Sequence, residues 1–264
     1  MYHLDKTTTA MTTNNHQTKD LLRGAIALNN AAISMLEKGY PTKALRIFRT
    51  VLSLLQESTK RPISFQTLQQ ELCQAAAQVA CTKKKHHVFC EVHVVDDDDE
   101  SAKYEATIYG PSSSVGFALR LGDLYTEGCT ISAFQYSTAA ILCNFALAYR
   151  FGFVATKRAN LLVGAQQTLR TAKFLLVGSA KMTDELYELY RWHLMLTMLR
   201  QTMIQVSRDL ILLPGHAVPA SVSTSLKNMA WQDLDEFESL VGPDEAEYIE
   251  RVYRLHKTSA AAAA

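Results

Sequence analysis

Proline and glycine are scarce, at 6 and 11 among 264 residues, so a fold of many strands joined by tight turns is not expected. Neither sign of charge is in excess. Lys and Arg number 27 against 26 Asp and Glu, a net +1, and this withdraws the usual argument for a phosphate-binding surface or a nucleic-acid partner. The five cysteines (Cys73, Cys81, Cys90, Cys129 and Cys143) are odd in number, widely spaced and contain no C-x-x-C pair. They suggest neither a disulfide framework nor a zinc knuckle, and read as buried thiols in a reducing compartment. No apolar signal core opens the chain. The longest apolar stretch, Thr138 to Tyr149, contains Asn144 and is closed by Arg150, well short of the ~20 residues that span a bilayer. The expectation is a soluble, cytoplasmic or nuclear chain with no membrane partner. G-x-S-x-G, H-E-x-x-H and G-x-G-x-x-G are all missing. Gly110 to Gly116 imitates a phosphate loop only in part, because Phe117 stands where a Lys is needed.

What the chain does hold is apolar content, 48% hydrophobic with 20% charged, arranged with helical periodicity. Residues 1–17 are rich in Thr, Asn and His without a period and are expected to form a disordered arm. A single domain then spans 18–258, followed by an Ala-rich tail at 259–264. Leu21, Ala25, Leu28, Ala32 and Met35 recur at steps of four and three on one helical face. Gly39 ends that helix and Pro41 suits the first turn of the next, whose face is Ala44, Ile47, Phe48, Val51, Leu52 and Leu55. A turn this short makes the two an antiparallel hairpin. A third helix begins after Pro62 and Ser64, with Phe65, Leu68, Leu72, Ala76 and Val79 inward. The period then switches to two. His87 to Val95 alternates, Tyr104 to Tyr109 suits a returning strand and Phe117 to Leu121 a third, so 86–129 is expected to be a small β excursion. Helical rhythm resumes near Thr130 with Phe134, Thr138, Leu142, Phe145 and Tyr149, then Leu162, Ala165, Leu169, Ala172 and Leu176. The longest stripe runs Leu189, Trp192, Leu196, Leu199, Met203, Val206, Leu210, Leu213 and stops at Pro214-Gly215, predicting a helix of ~45 Å. Shorter helices through Leu226 to Val241, and after Pro243, complete a mostly α fold.

Residues that could carry chemistry are few. His86, His87, Cys90 and His93, with Cys81 nearby, are zinc-ligand types. On a strand His87 and His93 fall on the face opposite Cys90, so no metal and no cofactor is expected. Lys83-Lys84-Lys85 and the acidic run Asp96 to Glu100 lie ~25 Å apart along an extended chain, too far to pair through solvent.

The first hairpin places Leu28, Ala32 and Met35 against Ala44, Phe48 and Val51 at the spacing of a tetratricopeptide repeat, with the alanines where the helices cross closely. A second copy reads Leu142, Ala146, Tyr149, then Ala165, Leu169 and Ala172, with about seven additional residues between its helices. Leu28, Asn30 and Ala32 match Leu142, Asn144 and Ala146 in offset. The chain therefore resembles a degenerate tetratricopeptide-like helical repeat protein, a superhelix or bundle of antiparallel hairpins with an inserted β-hairpin or meander. The resemblance implies a non-catalytic scaffold whose first helices line a concave face for another protein or peptide. That lining would include Asn29, Asn30, Ile33 and Asn144. Each Asn has two readings, a hydrogen bond to a backbone group inside the fold or a contact with a peptide in the groove. The alternative class is an enzyme with a site between the β excursion and the helices, using His87, Glu91 or His93.

Overall fold

The computed structural model describes residues 6–58, 65–83, 90–94, 106–110, 118–121, 131–179 and 186–213, with helical residues at 224–225, 227–229, 232 and 235 beyond them. Six helices dominate: α1 (Lys6–Glu37), α2 (Pro41–Ser58), α3 (Phe65–Cys81), α4 (Ile131–Thr156), α5 (Ala159–Ser179) and α6 (Leu186–Ile211). The fold is mostly α. Between α3 and α4, β1 (Cys90–Val94) pairs antiparallel with β2 (Ala106–Gly110), Val92 facing Ile108. Ala118–Leu121 carries no regular secondary structure and lies outside any strand, against the expectation of a third one. The Ala-rich tail lies outside the described residues. Helix α1 starts at Lys6 and so includes most of the segment expected to be an arm. Elongating a helix that is already nucleated needs no apolar stripe, which is why periodicity gives no sign of it.

Two compact turns set the hairpins. Helix α1 ends in a Schellman motif: Gly39 has φ 79°, its N–H donates to Leu36 O, and that of Tyr40 to Met35 O. At the second turn Lys157 takes the left-handed conformation, φ 58°, and donates to Phe153 O at 2.6 Å. The additional residues of the second hairpin do not lengthen its loop. They extend α4 and α5 by about two turns between them, and only Lys157 and Arg158 separate the helices.

Packing follows element order. Helix α1 packs on α2, α2 and α1 on α4, α4 on α5, and α5 and α4 on α6, while α3 lies against α1. Ala32 and Ala44 are fully buried in the first hairpin. Phe48 meets Phe145 of α4 with ring centroids 5.6 Å apart, so the residue expected beside the alanines joins one hairpin to the next. On α5 the predicted stripe from Leu162 to Leu176 is buried throughout, as is that of α6 from Leu196 to Leu213. Helix α4 differs from its predicted single face, because every residue from Ala139 to Ala148 is buried. It is the central helix, enclosed by α1, α2, α5 and α6. Phe134–Thr156 is also the one stretch among the described residues long and apolar enough to cross a membrane, and 67% of its most apolar window is buried inside the fold. On α3 the inward face is Leu68, Leu72, Ala75 and Val79, with Ala76 exposed. Gly24 of α1 lets Leu68 approach so closely that a Cβ there would stand 2.4 Å from Leu68 Cδ1. Cys73 and Cys81 are exposed on the outer face of α3, and only Cys143 among the described cysteines is buried as expected.

Candidate functional site

A primary amide side chain ends in one acceptor and two donors, so beside an extended residue it can engage both the N–H and the C=O of that residue. Asn144 on α4 does this to Leu119. The Leu119 N–H donates to Asn144 Oδ1 at 2.9 Å, and Asn144 Nδ2 donates to Leu119 O at 2.9 Å. Asn30 on α1 does the same to Leu121, receiving its N–H at 3.1 Å and donating to its O at 2.8 Å. The two asparagines at matching offsets in the two hairpins thus grip alternate residues of one extended segment, whose N–H and C=O groups turn to the same edge every second residue.

Asn29 ties the two grips together. Its Oδ1 accepts from Asn144 Nδ2 at 2.9 Å, and its Nδ2 donates to Asn30 Oδ1 at 3.1 Å and to Leu119 O at 3.3 Å. Both lone pairs of Leu119 O and both hydrogens of Asn144 Nδ2 are used, so one orientation of each amide satisfies the whole network. Between the gripped residues Arg120 turns its side chain along α1. Its Nη2 donates to Ser34 Oγ at 2.9 Å and to Glu37 Oε1 at 2.5 Å. Asn30, Ser34 and Glu37 follow one another at steps of four and three on a single face of α1. The Arg120–Glu37 pair is 28% and 22% exposed, so water screens it less than an ordinary surface pair.

All four residues assigned to a groove from the sequence are placed here or beside it. Asn29, Asn144 and Ile33 are fully buried and Asn30 half-buried. Ile33 belongs to the hydrophobic core. The expected open concave face is instead filled along this stretch by the chain's own Ala118–Leu121. The segment stands where water would lie in an open groove, and its backbone supplies the hydrogen-bond partners that the amides need once water is excluded. Sequence reasoning missed Ser34, Glu37 and Arg120. The available signal was the alternation through Leu119-Arg120-Leu121, read as part of a third strand, which does not say that side chains receive this backbone and no strand does.

Other features are less productive. Arg150, 5% exposed, joins α4 to α6 by bonds of 2.7 Å to Asp209 Oδ2 and Gln205 Oε1, and this reads as a brace. Burial pushes the Cys143 thiol far above its ordinary range, so it stays protonated and is a poor nucleophile. A cleft of about 130 Å³ lined by Arg46, Thr50, Glu71 and Gln78 is smaller than the ~300 Å³ of a typical small-molecule site. Among the described residues no three His, Cys, Asp or Glu side chains could hold a metal ion together. His87 lies outside the described residues, as do the side chains of Cys90, Glu91 and His93. Comparison with family models, with curated proteins and with solved structures returns no match.

Proposed function

We propose that the chain is a non-catalytic, tetratricopeptide-like interaction module that binds extended peptide segments of another protein by their backbone. One observation carries the reading: Asn30 and Asn144 take both backbone groups of alternate residues, Leu121 and Leu119. Bonds of this kind depend on backbone geometry and not on the identity of the gripped side chain, which is what a general peptide cradle requires. The order of packing supports a repeat. The second helix of the first hairpin, α2, packs on the first helix of the next, α4, with Phe48 and Phe145 meeting at that joint, and α1 packs on α4 beside it. The 82–130 connection with its β1–β2 hairpin is then an insertion between two repeat units.

The test is panning of a peptide display library against the full chain, followed by an N-methyl scan of the selected peptides. Binding is expected to fall at every second position, where methylation removes the N–H that an Asn oxygen accepts. Failure to select any peptide, or an N-methyl scan without a period of two, would overturn the reading.

A further inference from the structure

The segment in the groove is itself a specimen of what the groove accepts. Its backbone satisfies Asn30 and Asn144, the Ala118, Leu119 and Leu121 side chains are buried, and Arg120 alone carries charge, turned to Glu37 and Ser34. We propose that the α1–α4 groove is specific for an extended hydrophobic–Arg–hydrophobic peptide, and that Leu119-Arg120-Leu121 is an internal ligand which such a peptide must displace. This rests on the peptide-module reading and names its ligand class.

The chemistry of each position follows from its contacts. At the outer two positions the N–H and C=O must be free to pair, which excludes Pro there. Their side chains must be apolar, because the site removes them from water. The central position must reach a carboxylate and a hydroxyl together. A guanidinium offers several donors in a fixed fork and suits this better than an ammonium, while a carboxylate would face Glu37 with like charge. No comparable carboxylate stands over Leu119 or Leu121 among the contacts of the network. Selectivity is therefore concentrated in the central residue.

Covalent attachment sets how hard displacement is. The segment is held by the connection from Cys81, the end of α3, to Ile131, the start of α4. A tether of this kind maintains an effective concentration on the order of millimolar. An external peptide competes against that concentration, so its apparent affinity for the intact chain is lowered by the fraction of molecules whose groove is free. Loosening the internal ligand should restore the affinity without touching α1 or α4.

The experiment titrates a fluorescent peptide copying residues 116–123 into the full chain and into two full-chain variants, Leu121→Pro and Arg120→Glu, by anisotropy. Helical circular dichroism is recorded on all three. Both variants should bind at least ~10-fold tighter than the unaltered chain. The same peptide with Glu in place of its Arg should lose at least ~10-fold against Arg120→Glu, since it meets Glu37 again. The two variants guard against misfolding, because Leu121→Pro removes the part-buried N–H bond to Asn30 whereas Arg120→Glu leaves the buried residues in place. Equal affinity for the Arg and Glu peptides would overturn the ligand class while leaving a backbone-reading module standing. Folded variants that bind neither this peptide nor any library peptide would overturn both, and make Ala118–Leu121 an ordinary part of the core.

Discussion

Asn144 has no freedom to be replaced. It is fully buried on the central helix, and its amide meets Leu119 N, Leu119 O and Asn29 Oδ1. Asn144→Ala would orphan the Leu119 N–H and the Asn29 oxygen at one stroke. With ~1–3 kcal/mol for each unsatisfied buried group, unfolding free energy should drop by about 2–6 kcal/mol, measured by urea denaturation. Asn30→Ala should cost less, because that site is half-buried and water can replace the lost partner. A double Asn30→Ala, Asn144→Ala variant with an unchanged melting temperature would contradict the network. Its neighbour Cys143 supplies a second check. Burial raises the folded-state pKa of the thiol well above that in the unfolded chain, which is close to ~8.5. Above that pH the unfolded state binds fewer protons than the folded one, so stability is fully present below ~8.5 and falls as pH rises, by up to ~1.4 kcal/mol per unit. Cys143→Ala lacks this term. The stability gap between the two chains should therefore shift in favour of the variant between about pH 9 and 10.5, and a pH-independent gap would mean the thiol ionises in place.

At the scale of elements, α3 is the helix with the least to hold it, since it packs on α1 by one face. Lys38, just past the end of α1, donates to Val79 O at 2.6 Å and Thr82 O at 2.9 Å. A cation thus closes the carbonyl end of α3, where helix dipole and free C=O groups both favour it. Lys38→Met keeps the aliphatic stem and removes the donors. It should destabilise by about 1–2 kcal/mol and raise hydrogen exchange in α3 ahead of α2 and α4; uniform exchange across the three would show the cap to be incidental. Which elements were legible depended on how many of their faces are buried. Helices α5 and α6 bury the predicted stripes from Leu162 to Leu176 and from Leu196 to Leu213; the side chains of Leu189 and Trp192, which open the α6 stripe, lie outside the described residues. Helix α4 is legible as a helix from Phe134 to Tyr149, but a stripe cannot be defined on a helix enclosed on every side. The Lys38 cap was not legible, because Val79 and Thr82 act through carbonyls that every residue type possesses.

Across the whole molecule, the asparagine network joins three places remote in sequence: residues 29–30, 119–121 and 144. Matching offsets of Leu, Asn and Ala in two hairpins were sufficient to single out Asn30 and Asn144. Their common target was not predictable, since hydrogen bonds closing spans of 91 residues from Asn30 and 25 from Asn144 leave no local pattern at either end. The two hairpins, by contrast, are closed by short turns: Gly39 located the first, while the second, expected to be about seven residues longer, consists of Lys157 and Arg158 alone.

That difference in span has a kinetic counterpart. Short turns let α1–α2 and α4–α5 assemble early, whereas loop-closure entropy delays the bonds of Asn30 to Leu121 and of Asn144 to Asn29, which span 91 and 115 residues. The asparagine bonds should be absent from the rate-limiting transition state and present only on its native side. In a chevron analysis Asn144→Asp, which keeps the shape of the side chain but turns a donor into an acceptor, should then accelerate unfolding while the refolding limb stays where it was. A slowed refolding limb would mean that Leu119 docks before the hairpins meet. The stapling of α1 to α4 is thus expected to govern how long the native molecule persists, and not how quickly it forms.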